Sequence, residues 1–152
     1  MKKNVSLVLV LCMIAVAVIG FGTAANAQTP SNTEKALALI NTFATGDTDM
    51  ARSLLSEDYI QHNLAYGTGA DAFVGSVEYL ASAEVKTTVN NIRAFEDGDK
   101  VFLQTVYNFA GAGEQVAFDI FRIDENGKIA EHWDVMETIA DPSTWQNQNG
   151  KF

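Results

Sequence analysis

The chain has 152 residues, 47 % of them hydrophobic, with 10 Lys and Arg against 19 Asp and Glu for a formal charge of −9, and it holds one cysteine and two prolines. That length is one domain rather than two. A lone cysteine excludes an internal disulfide framework, and the acidic balance disfavours nucleic acid and anionic lipid surfaces as partners.

The first element is a leader. Lys2 and Lys3 precede an apolar run from Val5 to about Phe21, interrupted by Ser6, Cys12 and Gly20, and Ala25-Asn26-Ala27 then places small residues three and one before a cut at Gln28. A basic head, an apolar stretch and an Ala-x-Ala site predict a cleavable signal peptide over residues 1–27. The competing reading is an uncleaved anchor, since the stretch sits at the lower limit for spanning a bilayer. A lipid anchor on Cys12 is disfavoured, because Leu11 precedes it where a small residue is needed and the cysteine lies inside the apolar run. Cleavage leaves residues 28–152 without thiol or stable membrane anchor, and more acidic, because Lys2 and Lys3 leave and no acid does. The expected location is secreted or periplasmic.

From Thr33 to about Thr45, Ala36, Leu37, Leu39, Ile40 and Phe43 recur at spacings of three and four behind Thr33 as N-cap, which predicts an amphipathic helix ending near Gly46. A shorter helix fits Asp49 to Leu55, capped by Asp47 or Thr48. Tyr59-Ile60-Gln61-His62-Asn63 follows as an irregular or extended segment, and after Gly67-Thr68-Gly69 the spacing of Phe73, Val74, Val77, Tyr79 and Leu80 predicts a third helix from Ala70 to about Ser82. Beyond Ala83, β-branched and aromatic runs alternate with turn residues: Val85 to Glu96, Val101 to Ala110, Gln115 to Ile123 and Ile129 to Ile139 read as four antiparallel strands joined by hairpins. Helices first and a strand meander afterwards predict an α+β fold with three N-terminal helices packed on one face of a curved antiparallel sheet, its core spanning about residues 34–139. The tail from Asp141 to Phe152, with Pro142 and several Asn and Gln, is expected to be partly disordered.

Two motifs carry a resemblance. Tyr59-Ile60-Gln61-His62-Asn63 resembles a signature of bacterial SnoaL-like proteins, a branch of the nuclear transport factor 2-like superfamily, whose fold is cone-shaped (cystatin-like). Asp119-Ile120-Phe121-Arg122-Ile123, followed by Gly127-Lys128-Ile129-Ala130-Glu131-His132-Trp133-Asp134, is similar to the family's last hairpin. The resemblance implies a conical pocket for a small, largely apolar or carbonyl-containing molecule. It also implies, for the cyclases of the family, aldol ring closure without metal or organic cofactor, an aspartate matching Asp134 serving as acid/base with His132 beside it. The family holds lyases, isomerases and non-catalytic binders as well, and fold alone does not choose among them. Export is a departure, since most of these cyclases work in the cytoplasm.

Strand alternation tests which candidates share a wall. A two-residue Asn126-Gly127 turn sets Phe121 opposite His132 and Asp119 opposite Asp134, so that Asp119, Phe121, His132, Asp134 and Met136 point to one side. A four-residue loop keeps those faces, whereas a three-residue loop with a glycine bulge turns Asp119 away from His132 and Asp134. The family resemblance favours the shared wall. Two carboxylates and an imidazole on an apolar wall form a proton-transfer unit, because burial and a neighbouring like charge let one carboxyl hold a proton near neutral pH. Asp134 is the expected base, and His132, Asp119 and His62 are candidate donors or orienters; Asn63, Tyr66, Phe121, Tyr107 and Met136 are candidate lining residues.

No metal site is expected, because His62 and His132 lie far apart and no H-x-x-x-H or H-x-H pair is present. No G-x-S-x-G, P-loop or dinucleotide fingerprint appears either, so no cofactor is expected. The opposite side of the hairpin receives Phe118, Ile120, Trp133 and Val135. Members of the resembled family commonly pair through that face, and a homodimer is the expected assembly.

Overall fold

A computed structural model describes residues 29–152. The expected signal peptide and its cleavage site at Ala27 lie outside the described residues. None of the described helices is long and apolar enough to cross a membrane.

Helix α1 (Asn32–Thr45) opens on a capping box: the Ser31 hydroxyl accepts from the Glu34 N–H at 3.1 Å, and the Glu34 carboxylate accepts from the Ser31 N–H at 2.7 Å. Thr33, the cap expected from sequence, instead ties the helix to a strand by donating its N–H and hydroxyl to Glu96 at 3.0 and 2.8 Å. Gly46 ends the helix at φ +74, and a Cβ there would meet Ala81 at 2.7 Å, so the position needs glycine for both conformation and space. Helix α2 (Thr48–Leu54) is capped by Asp47, whose carboxylate accepts from the Met50 N–H at 2.9 Å. Helix α3 (Ala70–Ser82) buries Phe73, Val74 and Val77.

The sheet has five strands, β1 (Leu55–Gln61), β2 (Thr88–Asp97), β3 (Lys100–Asn108), β4 (Glu114–Ile123) and β5 (Ile129–Thr138), in the order β1-β5-β4-β3-β2. Four pair antiparallel as the turn residues imply; β1 is added parallel to β5 along the edge. Of the segment read from sequence as irregular or extended, Tyr59 to Gln61 are thus extended, as the end of a strand that begins at Leu55, and His62 and Asn63 lie beyond it. Its alternation is hidden by a register shift between Leu55 and Ile60, so that only Leu55 and Tyr59 of its seven residues are buried.

Leu39 and Ile40 of α1, Val77 of α3, and Val101, Leu103, Phe121 and Ile129 of the sheet form the centre of the core. Toward one end the packing turns aromatic: Phe43 sits 4.9 Å from Phe73 and 5.7 Å from Phe109, whose ring stacks on Tyr107 at 5.0 Å. The tail folds back over the outer side of the sheet, where the Gln104 side chain donates to the Lys151 carbonyl at 3.0 Å and Lys151 pairs with Glu137 at 2.6 Å.

Candidate active site

The hairpin of β4 and β5 decides which side chains meet. Asp124 organises its turn: the carboxylate accepts from the Asn126 and Lys128 N–H groups at 2.9 and 2.8 Å, and Gly127 adopts φ +74. Asp124 pairs with Lys128 through its own N–H at 2.8 Å, so three residues form the loop, with a glycine in the left-handed region. By itself that loop would turn Asp119 away from His132. A second irregularity undoes it: Ile123 pairs with Ile129 but Arg122 pairs with Glu131, leaving Ala130 as an extra residue in β5. Ile129 and Ala130 are accordingly both buried although adjacent. Beyond them Phe121 faces His132, Asp119 faces Asp134 and Ala117 faces Met136. The shared wall is the one anticipated from sequence, reached through a different turn.

On that wall Asp119 is 3 % exposed and His132 7 %. The Asp119 carboxylate accepts from the Tyr107 hydroxyl at 2.9 Å and lies 3.2 Å from His132 Nε2. Phe121 stacks on the His132 imidazole at 4.3 Å. Burial, with the Asp119 charge beside it, pushes the Tyr107 phenol far above its ordinary pKa, so it stays a donor. Asp134 has a different setting. Its Oδ1 accepts from the Asn63 amide at 2.6 Å, while Oδ2 has no hydrogen-bond partner among the described residues. Half-burial raises its pKa above the usual carboxylate value; positive charge on the His132 ring and the Asn63 hydrogen bond act against the rise, and the Asp119 charge adds a smaller push upward.

A cavity of about 500 Å³ opens in front of this wall, within the ordinary range for small-molecule sites. Asp119, His132, Asp134 and Gln61 lie at its polar end, and the rest is largely apolar, with Phe43, Phe73, Tyr79, Leu80 and Phe109 prominent; among the described residues no Lys or Arg lines it. Tyr66, Tyr107, Phe121 and Met136 line it as anticipated. Asn63 does not line it and acts from behind, through Asp134.

His62 requires a correction. Gln61 pairs with His132, so alternation sends the Gln61 side chain inward and His62 outward. The His62 ring stacks on Trp133 at 4.5 Å, and its Nε2 meets Glu131 at 3.0 Å. The His62 and Arg122 hydrogen bonds hold Glu131 below its ordinary pKa, a cross-strand tie on the side away from the cavity.

Gln61 is the site residue that sequence reasoning misses. It carries no titratable group, and its signal is only its place one residue before a histidine in the Tyr-Ile-Gln-His-Asn segment. The aromatic residues of α1 and α3 are missed as cavity wall for another reason: their helical spacing reads equally well as core.

Asp119, His132 and Asp134 each offer a ligand atom within 4.8 Å of the others, the grouping a divalent cation would need. The donor set fits poorly. His132 meets Asp119 through Nε2 and Gln61 through Nδ1, so ligation requires breaking an existing hydrogen bond.

Three helices closing one side of a curved five-stranded sheet form the cone-shaped nuclear transport factor 2-like, or cystatin-like, fold. The sequence matches the SnoaL-like domain over residues 36–132, and the chain belongs to that family. Comparison with curated proteins gave no match. Among solved structures, an NTF2-like protein of unknown function from Cytophaga hutchinsonii aligns with TM-score 0.62 and 17 % identity, covering 73 % of this chain and 94 % of its own. A LEH-like epoxide hydrolase of M. tuberculosis aligns with TM-score 0.61 and 17 % identity over 70 % and 82 % of the two chains. IdmH from Streptomyces antibioticus, a candidate polyketide cyclase, aligns with TM-score 0.57 and 18 % identity over 71 % and 93 %. At these identities the likeness is one of fold.

Proposed function

We propose that this is an exported, cofactor-independent acid/base enzyme of the aldol-condensation, lyase or isomerase type, acting on a small, largely apolar carbonyl compound. The observation that carries the reading is Asp134: a carboxylate of raised pKa, with one oxygen unpartnered among the described residues, at the end of an apolar cavity lined by no Lys or Arg of those residues. Oδ2 removes a proton from the carbon next to a carbonyl, and the C–H electrons form the enolate. In an aldol closure the enolate carbon attacks a second carbonyl carbon of the same molecule, and the resulting alkoxide takes the proton back from the Asp134 carboxyl. In an isomerisation the same proton returns to a different carbon.

The second reading is a non-catalytic extracytoplasmic binder. It is supported by the hydrogen bonds around Asp119 and His132, which are closed within the protein and leave a largely apolar surface for a ligand.

Exchange of the α-protons of β-tetralone in D2O, followed by NMR, separates the two without knowledge of the natural substrate. Acceleration over buffer that is lost in Asp134→Asn supports the enzyme. Exchange that survives the substitution refutes Asp134 as base, and saturable binding without exchange favours the binder.

A further inference from the structure

The hydrogen bonds behind His132 determine which of its nitrogens carries a proton, and the determination starts from a backbone group. The Asn63 N–H donates to one end of the Gln61 amide at 2.9 Å, and a backbone N–H can only donate, so that end is the carbonyl oxygen Oε1. The other end is therefore the NH2 group. One of its hydrogens points to His132 Nδ1 at 3.0 Å and the other to the Tyr59 hydroxyl oxygen at 3.3 Å. Both hydrogens of the Gln61 NH2 are thus engaged, and its oxygen accepts from Asn63. Nδ1 must present a lone pair, so the imidazole proton sits on Nε2, facing Asp119 at 3.2 Å.

We propose that Gln61 is a positioning residue that locks His132 as the neutral Nε2–H tautomer. His132 is then a fixed donor to Asp119 and not a proton carrier. The lock stands on hydrogen bonding alone; its chemical consequence, that Asp134 is the group exchanging protons with substrate, rests on the function proposed above.

The groups around the ring pull in both directions. Asp119 on β4 and Asp134 on β5 carry negative charge and favour a second proton on the imidazole. Tyr107 on β3 reaches it only through Asp119, Phe121 stacks on it, and Tyr59 and Gln61 face it from β1. Against the carboxylates stands a donor conflict. A proton on Nδ1 would point at the Gln61 NH2, and turning that amide over would set its NH2 against the Asn63 N–H. Asn63 cannot readily yield, because its side chain is held at both ends, by the Ala65 N–H at 3.0 Å and by Asp134 at 2.6 Å.

The test is long-range ¹H–¹⁵N NMR of the imidazoles in the exported chain, which holds two histidines, His62 and His132, so that His62→Gln assigns both. At pH 7 the expected pattern for His132 is a proton on Nε2 and a bare Nδ1. Gln61→Glu replaces the donor with an acceptor and should give a ring protonated on both nitrogens, which a merely structural glutamine would not do. If Gln61→Glu does not fold, the wild-type spectrum decides alone. A wild-type His132 that is doubly protonated, or protonated on Nδ1, overturns the lock, as does an unchanged tautomer in folded Gln61→Glu. These outcomes are separate from those of the exchange assay: saturable β-tetralone binding without exchange, with an Nε2–H His132, counts against the enzyme reading and leaves the lock intact.

Discussion

Tyr107→Phe deletes one oxygen and nothing else, at a place where the structure says that oxygen matters. The hydroxyl donates to Asp119 at 2.9 Å, and the two residues are 2 % and 3 % exposed, so the bond is largely shielded from bulk solvent although both residues line the cavity. A hydrogen bond to a charged, buried acceptor is worth roughly 1.5–3 kcal/mol, and Asp119 would retain only the His132 contact. The expected destabilisation is therefore about 2 kcal/mol, a fall in Tm of roughly 6–10 °C for a domain of this size. The hydroxyl is not required for folding as such, and a double-mutant cycle with Asp119→Asn isolates the pair. Urea unfolding of the wild type, both single variants and the double variant should return a coupling of about 1–2 kcal/mol. A coupling below about 0.5 kcal/mol, the limit within which independent sites add, would refute a charge-assisted bond between these buried partners and with it the assignment of Asp119 as a fixed, doubly held carboxylate.

Asp134→Asn should raise stability at neutral pH. A carboxyl whose folded pKa is raised binds its proton more tightly in the folded state, so it favours folding at low pH and loses that contribution as pH rises through the folded value; melting curves should show the variant ahead of wild type at pH 8 and level with it at pH 4. On the outer side of the sheet Phe118 and Val135 are 56 % and 73 % exposed and pair across β4 and β5, with Phe95 and Phe102 beside them. A homodimer through that face is expected, which analytical ultracentrifugation should detect at micromolar concentration, with Val135→Asp giving a monomer; a monomeric wild type would count against it. Export should remove residues 1–27, so the intact mass of the secreted or periplasmic protein should correspond to a chain starting at Gln28, and Met1 retained on membrane-bound material would refute cleavage.

The elements that sequence reveals are those whose periodicity is unbroken. Helix α3 is anticipated to within a residue because Phe73, Val74 and Val77 repeat at helical spacing behind Gly69, and β4 because its β-branched and aromatic run ends at the Asn126-Gly127 turn and its burial alternates from Ala117 to Ile123. What escapes is whatever depends on a partner. Thr33 looks like a cap until Glu96 claims its hydroxyl, and Ser31 takes the role. Strand β1 is read no more closely than as an irregular or extended segment from Tyr59 because a register shift breaks its pattern and because its pairing is parallel, made with residues more than seventy positions away. Gln61 is invisible for a related reason, since its meaning lies in His132 and Asn63 rather than in itself.

The same dependence explains how the hairpin divides labour between two carboxylates that sit directly opposite each other. A one-residue slip in a strand sends every later side chain to the other face. The Asp124–Gly127 turn introduces such a slip and the extra residue Ala130 cancels it, so the compensating bulge, and not the turn, delivers His132 and Asp134 to the cavity. Once there, the environments diverge. Asp119 faces the core, where Tyr107 and His132 engage both its oxygens, and a carboxylate held in that way has little reason to move a proton. Asp134 lies farther toward the open end of β5, where Asn63 fixes one oxygen and leaves the other facing an apolar space that raises its pKa. Aspartates paired across two strands are thus driven apart in chemistry by their neighbours, and the bulge at Ala130 is as much a part of the site as the residues that touch the cavity.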